Sequence, residues 1–337
     1  MRSHTVAPKL KDLVIEVVDT CNARCVMCNI WKNEDEHRVS DIAVDQLPPT
    51  LTNVNISGGE PFLRSDLPQM IARIRGRCPN VRIIISSNGF LPDRIESTMR
   101  EILKIDPGVG VAISIDGRDG LHDAIRQVPN GFKKCMETVR RLKALGVKSL
   151  RLAFTATDGN VSDLAAVYRL AKEVGAEFTC AVAHNSNIYF KTVQNGGVDA
   201  EKLRQQLNIV GGEDLKGWNL KRWVRAFFYQ GLLDRARGLA RRIPCTAAGL
   251  SAFLSATGDL HPCNMLETRL GDLGRRTFDD IWNSPEAEEA RRFAPTCPVN
   301  CWMVCTARES IKSHPMTVAR WVAEKKLRAH LGREIYA

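Results

Sequence analysis

The chain has 337 residues, 44% of them hydrophobic, with a formal net charge of +10 and a pI near 9.2. No run of about 18 apolar residues occurs, which excludes a membrane-spanning helix, and the opening MRSHTVAPKLKD lacks the apolar core of a signal peptide, so a cytoplasmic location is expected. Eleven cysteines in such a reducing compartment point to metal or cluster ligation rather than to disulfides.

From the N-terminus the chain alternates between two kinds of segment. Short runs rich in β-favouring residues, Val and Ile foremost in the first four, occur at 13–18, 52–57, 81–87, 109–115, 149–155 and 177–183. Helical patterns with cap residues at their starts or Gly at their ends lie at 66–77, 131–146 and 161–175. Strand–helix alternation predicts βαβ units and a parallel sheet, here a partial (β/α)6 barrel, with a doubly wound sheet as the alternative. Both folds bind ligands at the C-terminal ends of their strands. The polar and reactive residues follow that rule. Cys21, Gly58–Gly59–Glu60, Asn88–Gly89, Asp116–Gly117, Thr157–Asp158 and His184–Asn185 each close one strand. His184 is the candidate acid or base on this rim.

The rhythm stops after residue 186. Residues 216–242 carry eight Lys or Arg against one Asp, with Leu220, Trp223, Val224, Phe227 and Phe228 at helical spacing. Arg222 and Arg225 are candidate contacts to an anionic substrate here; a solvated helix face is the plainer account. Cys245, Cys263, Cys297, Cys301 and Cys305 follow. The tail, with Trp321, Lys325, Lys326 and Arg328, predicts a basic amphipathic helix that lies on a protein or membrane surface. The chain thus divides into a tail (1–12), a barrel (13–190), a connecting segment (191–242), an auxiliary metal region (243–310) and a last helix (311–337).

The motif CNARCVMC places Cys21, Cys25 and Cys28 directly after the first strand. Three thiolates leave a four-iron cluster one ligand short, so one iron stays open. A closed zinc site needs a fourth ligand, and His37 is the nearest one in sequence.

This C-x3-C-x2-C pattern, with SGGEP about thirty residues later, resembles the radical S-adenosylmethionine (SAM) superfamily. The resemblance covers roughly residues 12–185; Met27 stands where the family often has an aromatic residue. It implies that Cys21, Cys25 and Cys28 hold a [4Fe–4S] cluster whose open iron binds SAM. It further implies that Ser57, Gly58, Gly59, Glu60 and Pro61 meet the methionine end, and that Ser87, Asn88, Ser114 and Asp116 line the rest of SAM. The C-terminal cysteines resemble the shortened relative of the SPASM domain called twitch. That implies a second cluster held by four of Cys245, Cys263, Cys297, Cys301 and Cys305, the last two sharing a helical face if the helix runs through both. A structural zinc site is the alternative.

The implied activity is reductive cleavage of SAM to a 5′-deoxyadenosyl radical that abstracts hydrogen from a small polar substrate. A sugar, aminocyclitol or nucleotide sugar of natural-product (antibiotic) biosynthesis is expected, possessing a phosphate if the basic balance reflects it. A flavodoxin- or ferredoxin-type protein would donate the electron. A peptide-modifying enzyme ranks second, and a nucleotide cyclase is disfavoured because the chain ends in EIYA rather than Gly-Gly. A non-catalytic iron–sulfur or zinc scaffold binding RNA is the reading from another class; SGGEP speaks against it, and no nucleic-acid partner is expected.

Overall fold

The computed structural model describes residues 7–337; of the tail read over 1–12, residues 1–6 lie outside the described residues. Six parallel strands form the frame: β1 (Asp12–Val18), β2 (Asn53–Gly58), β3 (Arg82–Ser87), β4 (Gly110–Ser114), β5 (Leu150–Ala156) and β6 (Glu177–Val182). Every residue of β1 is buried, as expected for a parallel strand covered on both faces. Helices α1 (Asp41–Asp45), α2 (Leu67–Arg77), α3 (Pro92–Ile105), α4 (Asp119–Arg126), α5 (Gly131–Ala144) and α6 (Leu164–Glu173) connect them. Their apolar faces, for example Ile71 and Ile74 of α2 or Val139 and Leu142 of α5, pack on the outward residues Leu13, Ile15, Ile56, Ile83 and Ile85 of the sheet.

The sheet runs β6-β5-β4-β3-β2-β1 and does not close, which fits the partial barrel. After β6 come α7 (Ala200–Lys216) and α8 (Leu220–Ala236). Strand β7 (Ser251–Leu254) then pairs parallel to β1, and β8 (Asp259–His261) and β9 (Gly271–Asp272) extend the sheet antiparallel. The auxiliary segment therefore begins as a continuation of the barrel sheet rather than as a detached module. Short helices α9 (Phe278–Trp282) and α10 (Pro285–Phe293) follow, then α11 (Val304–Ser313) and α12 (Pro315–His330). Helix α11 packs on β1, β7 and α8, and α8 packs on β6, so these two helices span the gap between the first and last barrel strands.

The last helix is a packing element. Trp321 is buried against Phe227 and Tyr336, and Lys326 donates to the Leu215 and Gly217 carbonyls while standing over the rings of Trp218 and Trp223. The membrane-surface expectation for 311–337 is thereby replaced by docking on α7 and α8. Among the described residues no helix is long and apolar enough to cross a membrane.

Candidate active site

One cavity of about 230 Å³ opens at the C-terminal ends of β1–β5. Cys21, Cys25 and Cys28 form one wall; Ser57, Gly58, Gly59, Ser87, Asn88 and Ser114 form the next; Asn55, Ser86 and Thr155 supply further polar groups; Trp31, Tyr189 and Phe190 supply aromatic ones. The three thiols come from one loop because β1 ends at Val18 and the chain turns at once. Burial pushes the Cys21 thiol up to about 12 and Cys28 to about 11. Such thiols ionise only beside a compensating cation, and iron supplies that charge and deprotonates the sulfur outright. The donor set therefore suits an iron–sulfur cluster. His37 is hydrogen-bonded to Asp19 (Nδ1 to Oδ2, 2.8 Å). Among the described residues no three His, Cys, Asp or Glu side chains converge on one ion, the arrangement mononuclear zinc needs.

The SGGEP segment divides into two functions. Gly58 has φ +125°, and a Cβ there would stand 2.2 Å from the Val18 carbonyl oxygen; one on Gly59 would stand 1.8 Å from that of Thr20. Both glycines exist so that this turn can lie against the stem of the cysteine loop, where Gly59 and Glu60 donate backbone hydrogen bonds to Val18 and Thr20 (2.8 and 2.9 Å). Glu60 does not reach the cavity. Its carboxylate, fully buried, accepts from Ser87 Oγ (2.9 Å) and the backbone N–H of Phe62 (3.2 Å) on one oxygen and of Asn88 (2.7 Å) on the other. Glu60 thereby ties the end of β2 to that of β3, and Pro61 opens the short helical turn that follows.

Asp116 is likewise turned to its neighbours. Its Oδ1 accepts from Thr155 N–H (2.7 Å) and its Oδ2 from Arg126 Nε (2.5 Å), with no exposed surface. The sequence reading missed Arg126. It ends α4, lines the cavity, and points Nη1 at Cys25 Sγ (3.6 Å). Among the described residues that line the cavity it is the one charged side chain. A buried carboxylate at Asp116 demands a counter-charge, and the Arg at the end of the next helix was the available signal. Asn88 lines the cavity, where its amide donates to Asn22 Oδ1 (2.7 Å) and reaches Cys21 Sγ (3.8 Å).

His184 is not a cavity residue. Its Nδ1 donates to the Val182 carbonyl (2.6 Å), and its Nε2 accepts from Arg235 Nε (2.9 Å) and Trp302 N–H (3.3 Å). Burial, then Arg235, holds its pKa down to about 3, so the ring stays neutral. It ties β6 to α8 and to the last cysteine segment, and it has no free nitrogen for acid–base work. Arg222 and Arg225 also move away. Arg225 and Lys221 pair with Glu177, the first residue of β6, and Arg222 lies 3.9 Å from buried Asp214. They stand at the N-terminal end of the strands, the opposite end from the cysteine loop.

The segment after β6 roofs the site. Tyr189 hydroxyl bonds Ser57 Oγ, Phe190 accepts from Asn29 N–H (2.8 Å), and Asn195 donates to Met27 (3.0 Å). Ser186 Oγ accepts from Tyr189 N–H (3.2 Å) and donates to Asn264 (2.7 Å), next to Cys263. The roof therefore joins the cavity to the C-terminal cysteines.

Those cysteines lie in apolar surroundings. Cys245, Cys263 and Cys301 pack together with Ala247, Met265, Leu266, Ala294 and Met303. Burial raises Cys263, Cys297 and Cys301, and nearby thiols add to it, Cys245 acting on all three. Burial pushes Cys305 up to about 12, with Asp12 and then Cys301 the next causes that raise it, and its Sγ reaches Asn264 Oδ1 (3.9 Å). Helix α11 begins at Val304, so Cys301 precedes it and does not share a helical face with Cys305.

The description "Radical SAM superfamily" matches residues 15–171, and that of the SPASM iron–sulfur cluster-binding domain matches residues 245–306. The chain belongs to the radical SAM superfamily and carries a C-terminal SPASM domain. It is a radical SAM enzyme in fold and domain order, with [4Fe–4S] clusters and SAM as the cofactors of that class. An AdoMet-dependent heme synthase of Nitratidesulfovibrio vulgaris is 24% identical over 317 residues, covering 85% of this chain and 82% of that protein. A pre-heme d1 synthase of Dinoroseobacter shibae is 25% identical over 311 residues, covering 82% and 74%. Among solved structures, Streptococcus suis SuiB bound to S-adenosylmethionine superimposes with a TM-score of 0.65 at 18% identity, covering 87% of this chain and 70% of that one. That likeness establishes the fold.

Proposed function

We propose that this radical SAM enzyme abstracts hydrogen from a small, hydroxyl-bearing substrate with no anionic group at the reacting end, such as a sugar or aminocyclitol unit. In this reading Cys21, Cys25 and Cys28 hold the SAM-binding cluster, and Cys245, Cys263, Cys297 and Cys301 hold the second one. Ser57, Gly58, Gly59, Ser87, Asn88 and Ser114 wall the SAM site. When bound, cluster and SAM supply a 5′-deoxyadenosyl radical upon one-electron reduction. The protein's part is to hold the reactants close, exclude water and fix orientation. Trp31, Tyr189 and Phe190 close the cavity against solvent, and Asn55, Ser86 and Thr155 offer amide and hydroxyl partners.

The observation that carries the substrate class is the lining itself. Its one charged group, Arg126, is already paired with Asp116, so an anionic reacting group would meet no free counter-charge. A phosphate on the substrate would have to stay outside. A second reading is a tetrapyrrole of the heme type, supported by heme-synthase relatives that match across both domains; it requires the roof at 186–197 to move aside.

The test is anaerobic reconstitution followed by 5′-deoxyadenosine measurement with a panel of neutral sugars, aminocyclitols, nucleotide sugars and Fe-coproporphyrin III. Stimulation by a neutral or nucleotide-linked sugar is expected. Stimulation by the porphyrin alone would overturn this reading in favour of the second.

A further inference from the structure

Arg126 is a buried cation whose guanidinium has two neighbours of opposite consequence. Nε is held by Asp116 at 2.5 Å, on the side away from the cavity. Nη1 stands 3.6 Å from Cys25 Sγ. The side chain is 11% exposed and Asp116 is fully buried, so solvent screens this pair little. Asp116 is itself fixed by Thr155 N–H, and Asn160 Nδ2 fixes the Asp116 carbonyl (2.9 Å). The positive end of a rigid ion pair is therefore aimed at a cluster thiol.

We propose that Arg126 sets the reduction potential of the SAM-binding cluster, raising it by hydrogen-bonding and facing Cys25. The inference rests on the assignment of Cys21, Cys25 and Cys28 as ligands. One electron from an external low-potential donor adds one negative charge to the cluster, spread over its sulfurs. A fixed donor at a ligand sulfur stabilises that reduced form more than the oxidised one. Asp116 opposes the effect while holding the guanidinium in place. The two residues thus act with opposite sign, which a merely structural ion pair would not do.

The experiment is an EPR-monitored redox titration of the reconstituted full chain without SAM, following the signal that Cys21→Ala removes. Leaving SAM out separates this role from any contact Arg126 makes with SAM. Arg126→Gln is expected to shift the reduction equilibrium at least tenfold toward the oxidised cluster, 59 mV for one electron. Arg126→Lys should recover most of the shift, and Asp116→Asn should move the midpoint the other way. Midpoints of all three variants equal to wild type would overturn the proposal, including the case where Arg126→Gln weakens SAM binding alone. Loss of the cluster in Arg126→Gln leaves the decision to Arg126→Lys and Asp116→Asn. If Cys21→Ala removes neither signal nor iron, the ligand assignment itself has failed.

Discussion

The two cysteine regions solve opposite problems. Cys21, Cys25 and Cys28 sit within eight residues on one loop and face a cavity lined by hydroxyl, amide and aromatic groups and by Arg126. Cys245, Cys263 and Cys301 come from distant parts of the chain and are sealed among alanine, leucine and methionine. The first arrangement leaves room for a ligand on an open iron; the second leaves little but its own thiols. An open site demands supports behind it, which is where Glu60, Gly58, Gly59 and the Asp116–Arg126 pair are found. A closed site gets its rigidity from packing around it, and Trp302, wedged against Gly231 and stacked on Phe228, supplies that.

Several substitutions break or sharpen this contrast. Cys263→Ala should remove the second cluster, lower bound iron by about four per chain and cut thermal stability sharply, because metal binding in such a region is part of its folding free energy. Cys305→Ala should keep the iron count, since Cys305 Sγ is turned to Asn264 Oδ1; iron analysis of the two variants decides the ligand set. Gly59→Ala should cost about 3 kcal/mol or more by forcing a methyl into the Thr20 carbonyl, and SAM cleavage should fall with it. Chemical denaturation beside 5′-deoxyadenosine assays checks both effects.

His184→Ala should destabilise the chain by about 2 kcal/mol, because buried N–H groups of Arg235 and Trp302 lose their acceptor. Its pH dependence has a definite sign. The neutral imidazole is favoured in the fold, with its pKa down at about 3 against an ordinary 6.5. The unfolded chain therefore binds more protons between these values, and stability falls as pH drops through that window. Denaturation curves at pH 7 and pH 5 should converge for wild type and His184→Gln as pH falls. The smallest effect is expected for Arg225→Ala: under about 1 kcal/mol, as for a partly screened ion pair, with SAM cleavage unchanged.

The first strands were legible because they are written in Val and Ile, with β1 buried throughout, and β5 and β6 because buried residues alternate along them. The rim was legible too, since chain direction alone puts each strand's end on one face. Which rim carboxylates meet a ligand was not. Glu60 and Asp116 follow strands as a binding residue would, yet neighbouring N–H and O–H groups claim all four oxygens. Helical periodicity marked the inward residues of α8, with Phe227 and Phe228 buried, but Leu220 in its first turn is exposed. Periodicity also says nothing about which end of the barrel a helix crosses, so Arg222 and Arg225 were misplaced. The i, i+4 spacing of Cys301 and Cys305 misled because Met303, between them, is extended (φ −81°, ψ 143°) as the residue that caps α11, which begins at Val304.

The most direct test of two clusters with different surroundings is iron and sulfide analysis of the anaerobically reconstituted protein beside the Cys21→Ala/Cys25→Ala/Cys28→Ala variant, with 5′-deoxyadenosine measured under dithionite and SAM. The account predicts about eight irons in the wild type and about four in the variant, with 5′-deoxyadenosine from the wild type alone. Equal iron in both proteins, or 5′-deoxyadenosine from the variant, would contradict it.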